Sequence, residues 1–322
     1  MSDYHVSFVV PHKGREAFLQ KTLASVAAQT SSVAKDVVVI TQNKTLLPQT
    51  TAYAGELDLR IIYAAPELTI SALRNQGVAA VTSTHLAFLD ADIALSPNWL
   101  EQLLPMLEGR EDIALISAMQ VNDERAPPLE RIRTALSNAS VDSSVDFLPG
   151  RNLLLRRTIY EAVGGFPEHL MTCEDYYFTD KVSEHGRLWY SGQASYIHLG
   201  EDKALGEMFS KEIWRGQSNL QSMAGRHIRI NEWPSFFIPP WITLLTLTAV
   251  AMLLTAQWAL ALCAFLLALL PFSAYVTRLY VLADRRIALG HIAAFYGYYF
   301  PARTWGTILG VFKTMGNNLH DH

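Results

Sequence analysis

From Val6 to Ser117, short apolar runs alternate with segments whose apolar residues recur at helical spacing. Val6-Ser7-Phe8-Val9-Val10 reads as a buried strand closed by Pro11, and Ala17 to Gln29 follows with the pattern of an amphipathic helix. Val37-Val38-Val39-Ile40 and Leu59-Arg60-Ile61-Ile62-Tyr63 are two further strands. Ser71 to Val81 reads as a helix opened by a Ser cap. His85 to Leu89 is a fourth strand, and Ile113 to Met119 a candidate fifth. Strands alternating with helices predict a mostly parallel sheet covered on both faces. Residues 120–200 are more mixed, with loops, short helices and polar clusters. Residues 204–232 read as a basic, amphipathic linker helix region carrying Lys211, Arg215, Arg226 and Arg229.

The pattern changes at Phe236. Neither Phe236–Thr255 nor Trp258–Thr277 holds a charged residue. Each is about as long as the ~20 residues that cross a bilayer core. Ala256-Gln257 is the break between them, which predicts a tight helical hairpin. Pro239 and Pro240 fall near the start of the first helix, where proline is tolerated. Trp233, Trp241 and Trp258 sit near the predicted ends, where amphipathic rings favour the membrane interface. A buried hairpin in a soluble protein is the alternative. Arg226 and Arg229 precede the hairpin and Arg278, Arg285 and Arg286 follow it, while its turn has no Lys or Arg. That asymmetry predicts that both ends face the cytoplasm. Ile287 to Lys313 is apolar and aromatic but interrupted by His291, Arg303 and glycines. It reads as an interfacial amphipathic helix, with Tyr296, Tyr298, Tyr299 and Trp305 at headgroup level and a third span as the alternative.

Composition adds limits rather than identity. The 322 residues suggest about two domains. Only 17% are charged and the net charge is −4, which gives no reason to expect nucleic acid as a partner. Cys173 and Cys263 lie far apart in unlike settings, so no disulfide is expected and a reducing compartment fits the first domain. Met1 to His5 lacks a basic stretch followed by an apolar one, so no signal peptide is expected.

Candidate chemistry centres on Leu86-Ala87-Phe88-Leu89-Asp90-Ala91-Asp92. A buried strand ending in Asp-x-Asp sets two carboxylates at the carboxyl edge of a sheet, where open α/β sheets bind ligands. Hard divalent cations shared with substrate phosphates need such oxygen-rich sites. An Asp-rich turn is the plain alternative. Arg74, on the preceding helix, has a planar fork suited to phosphate or a base. Glu174-Asp175, ahead of an aromatic helical run, offers either helix N-terminal acids or a general base for a hydroxyl. Pro149-Gly150-Arg151-Asn152 and Gly164-Gly165-Phe166-Pro167 are turns by themselves. His198 ends a short strand-like run and is either structural or a metal ligand. There is no zinc-ligand spacing, P-loop, dinucleotide-binding glycine turn or Gly-x-Ser-x-Gly elbow.

In order and spacing, these segments resemble family 2 glycosyltransferases of GT-A fold. The resemblance rests on Val9-Val10-Pro11 with Arg15 soon after, Leu73-Arg74-Asn75-Gln76-Gly77, Phe88-Leu89-Asp90-Ala91-Asp92, Gly150-Arg151-Asn152, Gly164-Gly165-Phe166 and Glu174-Asp175. It covers about residues 5–220. It implies inverting, metal-dependent transfer of a sugar from a UDP-, GDP- or dTDP-linked donor. Asp90 would contact the nucleoside, and Asp92 would hold Mg²⁺ or Mn²⁺ on the diphosphate, with His198 as a further metal ligand. Asp175 would be the base for the acceptor hydroxyl. Pro11, Arg15, Asn43, Arg74 and Arg215 would join Asp90 and Asp92 in donor binding, and Gly150, Asn152 and Glu174 would meet the acceptor.

The sequence departs from the family pattern in two places. Thr41-Gln42-Asn43-Lys44 stands where an acidic Asp-Asp-x-Ser-type stretch reads the base, so Asn43 would substitute for a carboxylate. The Gln-x-x-Arg-Trp motif of processive members is missing; only Ile213-Trp214-Arg215-Gly216-Gln217 is present. The expected organisation is a transferase domain at 1–220, a juxtamembrane linker at 221–235, a transmembrane hairpin at 236–277 and an interfacial helix and tail at 278–322. The expected setting is the cytoplasmic face of the inner membrane, in cell-envelope polysaccharide biosynthesis, with a lipid-linked or glycan acceptor. A catalytically silent subunit of a surface-polysaccharide assembly complex is the alternative.

Overall fold

The computed structural model describes residues 4–123, 125–217, 230 and 232–318. Arg226 and Arg229 lie outside the described residues, as does most of the expected 221–235 linker. The chain divides into two compact units: residues 1–123 with 140–201, and residues 124–139 with 202–322.

The first unit is a mixed α/β fold. Its strands are β1 (His5–His12), β2 (Ala34–Thr41), β3 (Asp58–Tyr63), β4 (His85–Leu89), β5 (Ile93–Leu95), β6 (Ile113–Val121), β7 (Ser143–Val145), β8 (Asn152–Arg156) and β9 (Arg187–His198). They form one nine-stranded sheet in the order β3-β2-β1-β4-β8-β6-β9-β5, with β7 paired to β9. The half from β3 to β4 is parallel; β8 then runs antiparallel to both β4 and β6. In chain order the helices of this unit are α1 (Glu16–Ala27), α2 (Pro48–Thr51), α3 (Ile70–Ala79) and α4 (Trp99–Glu108). Past α5 (Pro128–Ser137), which belongs to the second unit, come α6 (Arg157–Val163) and α7 (Glu174–Ser183).

Two apolar clusters bury the two faces of the sheet. Val10, Leu23, Val39 and Trp99 belong to one; Val9, Ile40, Phe88 and Phe178 belong to the other. Successive residues of β1 and of β2 thus enter opposite clusters, as period-2 alternation requires. The near-continuous apolar text of β1, β2 and β4 is that of strands covered on both sides. Helix α3 lies unusually close to the sheet. A Cβ at Gly77 would stand 2.5 Å from a methyl of Val9 and 2.6 Å from one of Ile40, so only glycine permits the approach. The cap of α3 is Thr69, whose side chain accepts from the Ala72 N–H at 3.2 Å, two residues before the expected Ser71.

The second unit is helical. It holds α5, α8 (Leu205–Gly216), α9 (Trp233–Leu254), α10 (Trp258–Leu282) and α11 (Leu289–Asn318). The apolar helices α9 and α10 meet at Thr255-Ala256-Gln257, where Ala256 takes a left-handed φ of 55° and the Gln257 N–H bonds the Met252 carbonyl. The segment after the hairpin is one 30-residue helix. Residues 124–139 and 202–217 group with the second unit, where their helices carry apolar residues for its core. Leu129, Ile132 and Met208 pack with Ile242, Leu279, Phe295 and Phe300.

Candidate active site

Strand register places the acidic residues. β4 and β8 are antiparallel, with Leu89 opposite Asn152. The last residue of β4 therefore faces the first of β8. The next pair, Asp90 and Arg151, continues the ladder through an Asp90 N–H to Arg151 carbonyl bond of 3.1 Å. β5 and β9 are antiparallel with Ile93 opposite His198, and the Leu199 N–H donates to the Asp92 carbonyl at 2.8 Å. Two local pairings thus bring residues from positions 90–92, 150–152 and 198–201 to one edge.

Arg74 organises one side of that edge. Its side chain is 1% exposed. Its Nη2 donates to Asp90 Oδ1 at 2.9 Å and to the Gly150 carbonyl at 3.2 Å, and its Nη1 donates to Glu174 Oε1 at 3.0 Å. Phe166 supports the guanidinium, with its ring centre 4.8 Å from Arg74 Cζ. The Phe166 ring in turn stacks on Phe178 and meets Phe88 edge-on. Gly164 and Gly165, both at positive φ, form the turn that delivers Phe166. Asn75 clamps that turn: its Oδ1 accepts from the Phe166 N–H and its Nδ2 donates to the Phe166 carbonyl, both at 2.9 Å. The Arg-Asn and Gly-Gly-Phe motifs are therefore one construction. Arg74 is nearly fully buried and fixes Asp90 against Glu174.

Glu174 and Asp175 open α7 behind Cys173, which holds a left-handed φ of 64°. Asp175 Oδ1 accepts from the Tyr176 N–H at 2.9 Å and Oδ2 from the Gly150 N–H at 3.3 Å. A Cβ at Gly150 would lie 2.8 Å from Arg74 Nη2, so this glycine seats the guanidinium as well as the Asp175 carboxylate. Burial, reinforced by the neighbouring Asp175 charge and opposed by Arg74, pushes the Glu174 carboxyl up to about 7. Burial also raises Asp175, against the pull of Arg74 and the two backbone donors. Two adjacent carboxyls in one enclosed place share protons as a pair.

Asp92 anchors the other side of the edge. Its Oδ2 accepts from Arg15 Nη2 at 2.9 Å, and its Oδ1 lies 3.5 Å from His198 Nε2. Burial would raise its carboxyl, but the His198 hydrogen bond and the charges of His198, Arg15 and Arg151 hold it below the ordinary value. His198 Nδ1 lies 3.0 Å from Glu201 Oε2. A carboxylate at Nδ1 favours a proton there, while Nε2 faces Asp92. Burial lowers the His198 pKa, and its bonds to Asp92 and Glu201 more than reverse that. Arg151 Nη1 donates to Gln120 Oε1 at 3.2 Å and lies 3.6 Å from Glu201 Oε2. Arg151 and Glu201 were not among the expected site residues. Arg151 stood inside a quoted motif, and Glu201 follows His198 by three, the spacing of a partner that orients an imidazole.

The remaining expected residues sort differently. Asn152 is fully buried; its Oδ1 accepts from Trp99 Nε1 at 3.2 Å and from the Ala118 N–H at 2.9 Å. It ties β8 to α4 and β6. Pro11 is a buried residue of β1 opposite Ile40. Asn43 Oδ1 accepts from the Gly14 N–H at 2.8 Å and shapes the turn before Arg15. Arg215 belongs to the second unit, where its Nη1 donates at 2.7 Å to buried Glu212, which also accepts from Arg133. It joins an internal ion-pair cluster of that unit.

Among the described residues no group of three or more His, Cys, Asp or Glu side chains gathers as a metal cage. The carboxylate of Asp92 and the oriented imidazole of His198 nevertheless form a mixed oxygen and nitrogen donor pair. Such a pair fits a divalent cation that takes its other ligands from a diphosphate and water.

The model described as Glycosyl transferase family 2 matches residues 7–164 of the chain. The chain is 25% identical to "Glycosyltransferase AglE" of Haloferax volcanii over 228 residues, covering 67% of this chain and 73% of that protein. It is 24% identical over 215 residues to the "Pre-mycofactocin glycosyltransferase" of Mycobacterium tuberculosis, covering 60% of this chain but only 42% of that relative. Among solved structures, a mannosyltransferase, PcManGT from Pyrobaculum calidifontis, in complex with GDP-Man and Mn²⁺, superposes with a TM-score of 0.59 at 15% identity. It covers 96% of this chain and 86% of that one. That likeness establishes a GT-A-like fold.

Proposed function

We propose that the chain moves a glycosyl group from a nucleotide-diphosphate sugar to an acceptor by one in-line, inverting displacement. The observation that carries this reading is the shared edge. A raised-pKa carboxyl pair, Glu174–Asp175, is tied through Arg74 to the Asp90-x-Asp92 segment. The two ends of the edge suit the two substrates of a transfer.

Asp90 meets the nucleoside part of the donor, while Asp92 and His198 would hold Mg²⁺ or Mn²⁺ at the diphosphate end. When bound, that cation offsets charge building on the departing diphosphate. Arg151 adds fixed positive charge beside His198. Asp175 takes the proton of the acceptor hydroxyl as its oxygen attacks the anomeric carbon opposite the diphosphate. Gly150 and Tyr176 keep that carboxylate in place through their N–H groups. Glu174, held by Arg74, keeps the pair basic near neutral pH. Holding both substrates on one rigid edge supplies much of the barrier reduction.

Helices α9 and α10 are long and apolar enough to cross a membrane, with only 17% of each apolar window buried within the protein. Leu244, Leu247, Leu254, Leu262, Phe265 and Leu270 are exposed. We read them as a membrane anchor, with the catalytic unit on the cytoplasmic side and a lipid-linked acceptor delivered in the membrane plane. The experiment incubates membranes containing the full chain with radiolabelled nucleotide sugars and Mn²⁺. Label should enter the organic-extractable fraction, and the Asp175→Asn chain should leave it at background. Transfer only to soluble saccharides would contradict the lipid-linked acceptor while sparing the transferase reading.

A further inference from the structure

We propose that Arg15 is a charge placeholder on the metal-holding aspartate, making the site accept a divalent cation together with a diphosphate rather than alone. The inference rests on the metal role proposed above for Asp92. Arg15 Nη2 sits 2.9 Å from Asp92 Oδ2, while the other carboxylate oxygen faces His198 Nε2. The guanidinium thus occupies one of the two lone-pair faces that a cation would use.

The arrangement suits a partner meant to leave. The Arg15 side chain is 61% exposed, whereas that of Asp92 is 12% exposed. An ion pair with one largely solvated member is weak and easily exchanged. The Arg15 backbone, by contrast, is tightly set. It holds φ 23° and ψ 51° just ahead of α1, a conformation L-residues rarely adopt. Gly14 before it is at φ 69°, with its N–H fixed by Asn43. The Arg15 carbonyl accepts from the Phe18 N–H at 2.9 Å, and the guanidinium lies over the Phe18 ring. Backbone strain held by several contacts points to a functional position. Gly200 closes the site: a Cβ there would stand 2.1 Å from Asp92 Oδ2 and 2.7 Å from Arg15 Nη1. The pair has just enough room to exist.

The charge balance sets the consequence. A free cation must displace Arg15 from Asp92 and then tolerate both Arg15 and nearby Arg151. A diphosphate gives Arg15 a new anionic partner, to which its N–H groups make charge-assisted bonds. Arg15 therefore disfavours the cation alone and favours the pair, which is positive coupling between two ligands.

The test measures Mn²⁺ binding to the detergent-purified full chain by electron paramagnetic resonance, with and without inorganic pyrophosphate. The variants are Arg15→Gln, Arg15→Ala and Asp92→Asn. Both Arg15 variants should bind Mn²⁺ alone about fivefold more tightly, the equivalent of one exposed ion pair. Their enhancement of Mn²⁺ binding by pyrophosphate should shrink about tenfold, the scale of a hydrogen bond to a charged group. Unchanged or weaker Mn²⁺ binding in both, with Asp92→Asn still abolishing it, overturns the placeholder role alone. Wild-type Mn²⁺ affinity in Asp92→Asn overturns the metal reading and the placeholder with it.

Discussion

Asp175→Asn should lose about a hundredfold to ten-thousandfold in turnover, the usual contribution of a positioned general base. The change is nearly isosteric, so one side-chain oxygen remains to accept from Gly150 or Tyr176. Donor binding should therefore survive, and the loss should fall on kcat more than on the donor KM. The pH profile carries the same information. Burial raises both Glu174, to about 7, and Asp175. A base works deprotonated, and a raised pKa brings its protonation toward neutrality. Turnover should therefore fall as pH drops through the neutral range, well above the ordinary carboxylate region. In Glu174→Gln the limb should move to lower pH, because Asp175 loses an adjacent negative charge and keeps Arg74 nearby. Turnover within tenfold of wild type in Asp175→Asn, measured across the profile, would remove Asp175 from the reaction.

Arg74→Met should cost about 3–5 kcal/mol of stability, the range for removing one member of a buried ion pair. The change strands Glu174, whose side chain is 12% exposed, and leaves the Gly150 carbonyl without its side-chain donor. Asp90, at 32% exposed, can recover some hydration, which places the cost toward the lower end. Arg74→Lys should rescue little, since an ammonium cannot fork to two carboxylates and stack on Phe166. Denaturant midpoints in detergent measure the loss. A cost under ~1 kcal/mol for Arg74→Met, the level of an exposed pair, would mean that Arg74 does not hold the edge together.

Much of the first unit is legible in the sequence. β1, β2 and β4 are short, strongly apolar runs, and burial on both faces leaves little other use for such text. The core of β6 follows the same rule, whereas β3 is an edge strand, read from its β-branched and aromatic residues, with Asp58, Arg60 and Tyr63 exposed. The ends of the sheet are harder to read. β5 is three residues long, directly after Asp92, and forms only because β9 runs past it. β9 spans Arg187 to His198, and Ser191-Gly192-Gln193 interrupts its apolar text, so only its last five residues read as a strand. The hairpin break at Ala256-Gln257 lies where the charge-free runs meet, as expected. The unit boundary was not legible, because the side taken by α5 and α8 depends on a helical core contributed mostly from beyond residue 232.

The site divides along the same line. Asp90, Asp92, Glu174, Asp175 and His198 announce themselves by chemistry, and strand register brings them to one edge. What spacing does not reveal is which polar side chains face inward. Arg74 and Asn152 share motifs with the exposed residues, yet the structure uses one to brace carboxylates and the other to hold strands. Arg151 matters through contacts with Gln120 and Glu201, distant in sequence, which its own motif does not encode.

The central claim is glycosyl transfer from a nucleotide-diphosphate sugar at the Asp90–Asp92 edge. The most direct measurement follows the anomeric proton by NMR as the full chain, with Mn²⁺ and acceptor-bearing membrane extract, consumes an α-linked nucleotide sugar. The account predicts a β-linked product and release of the nucleoside diphosphate, with both signals lost in Asp92→Asn. An α-linked product, or equal conversion by Asp92→Asn, would contradict it.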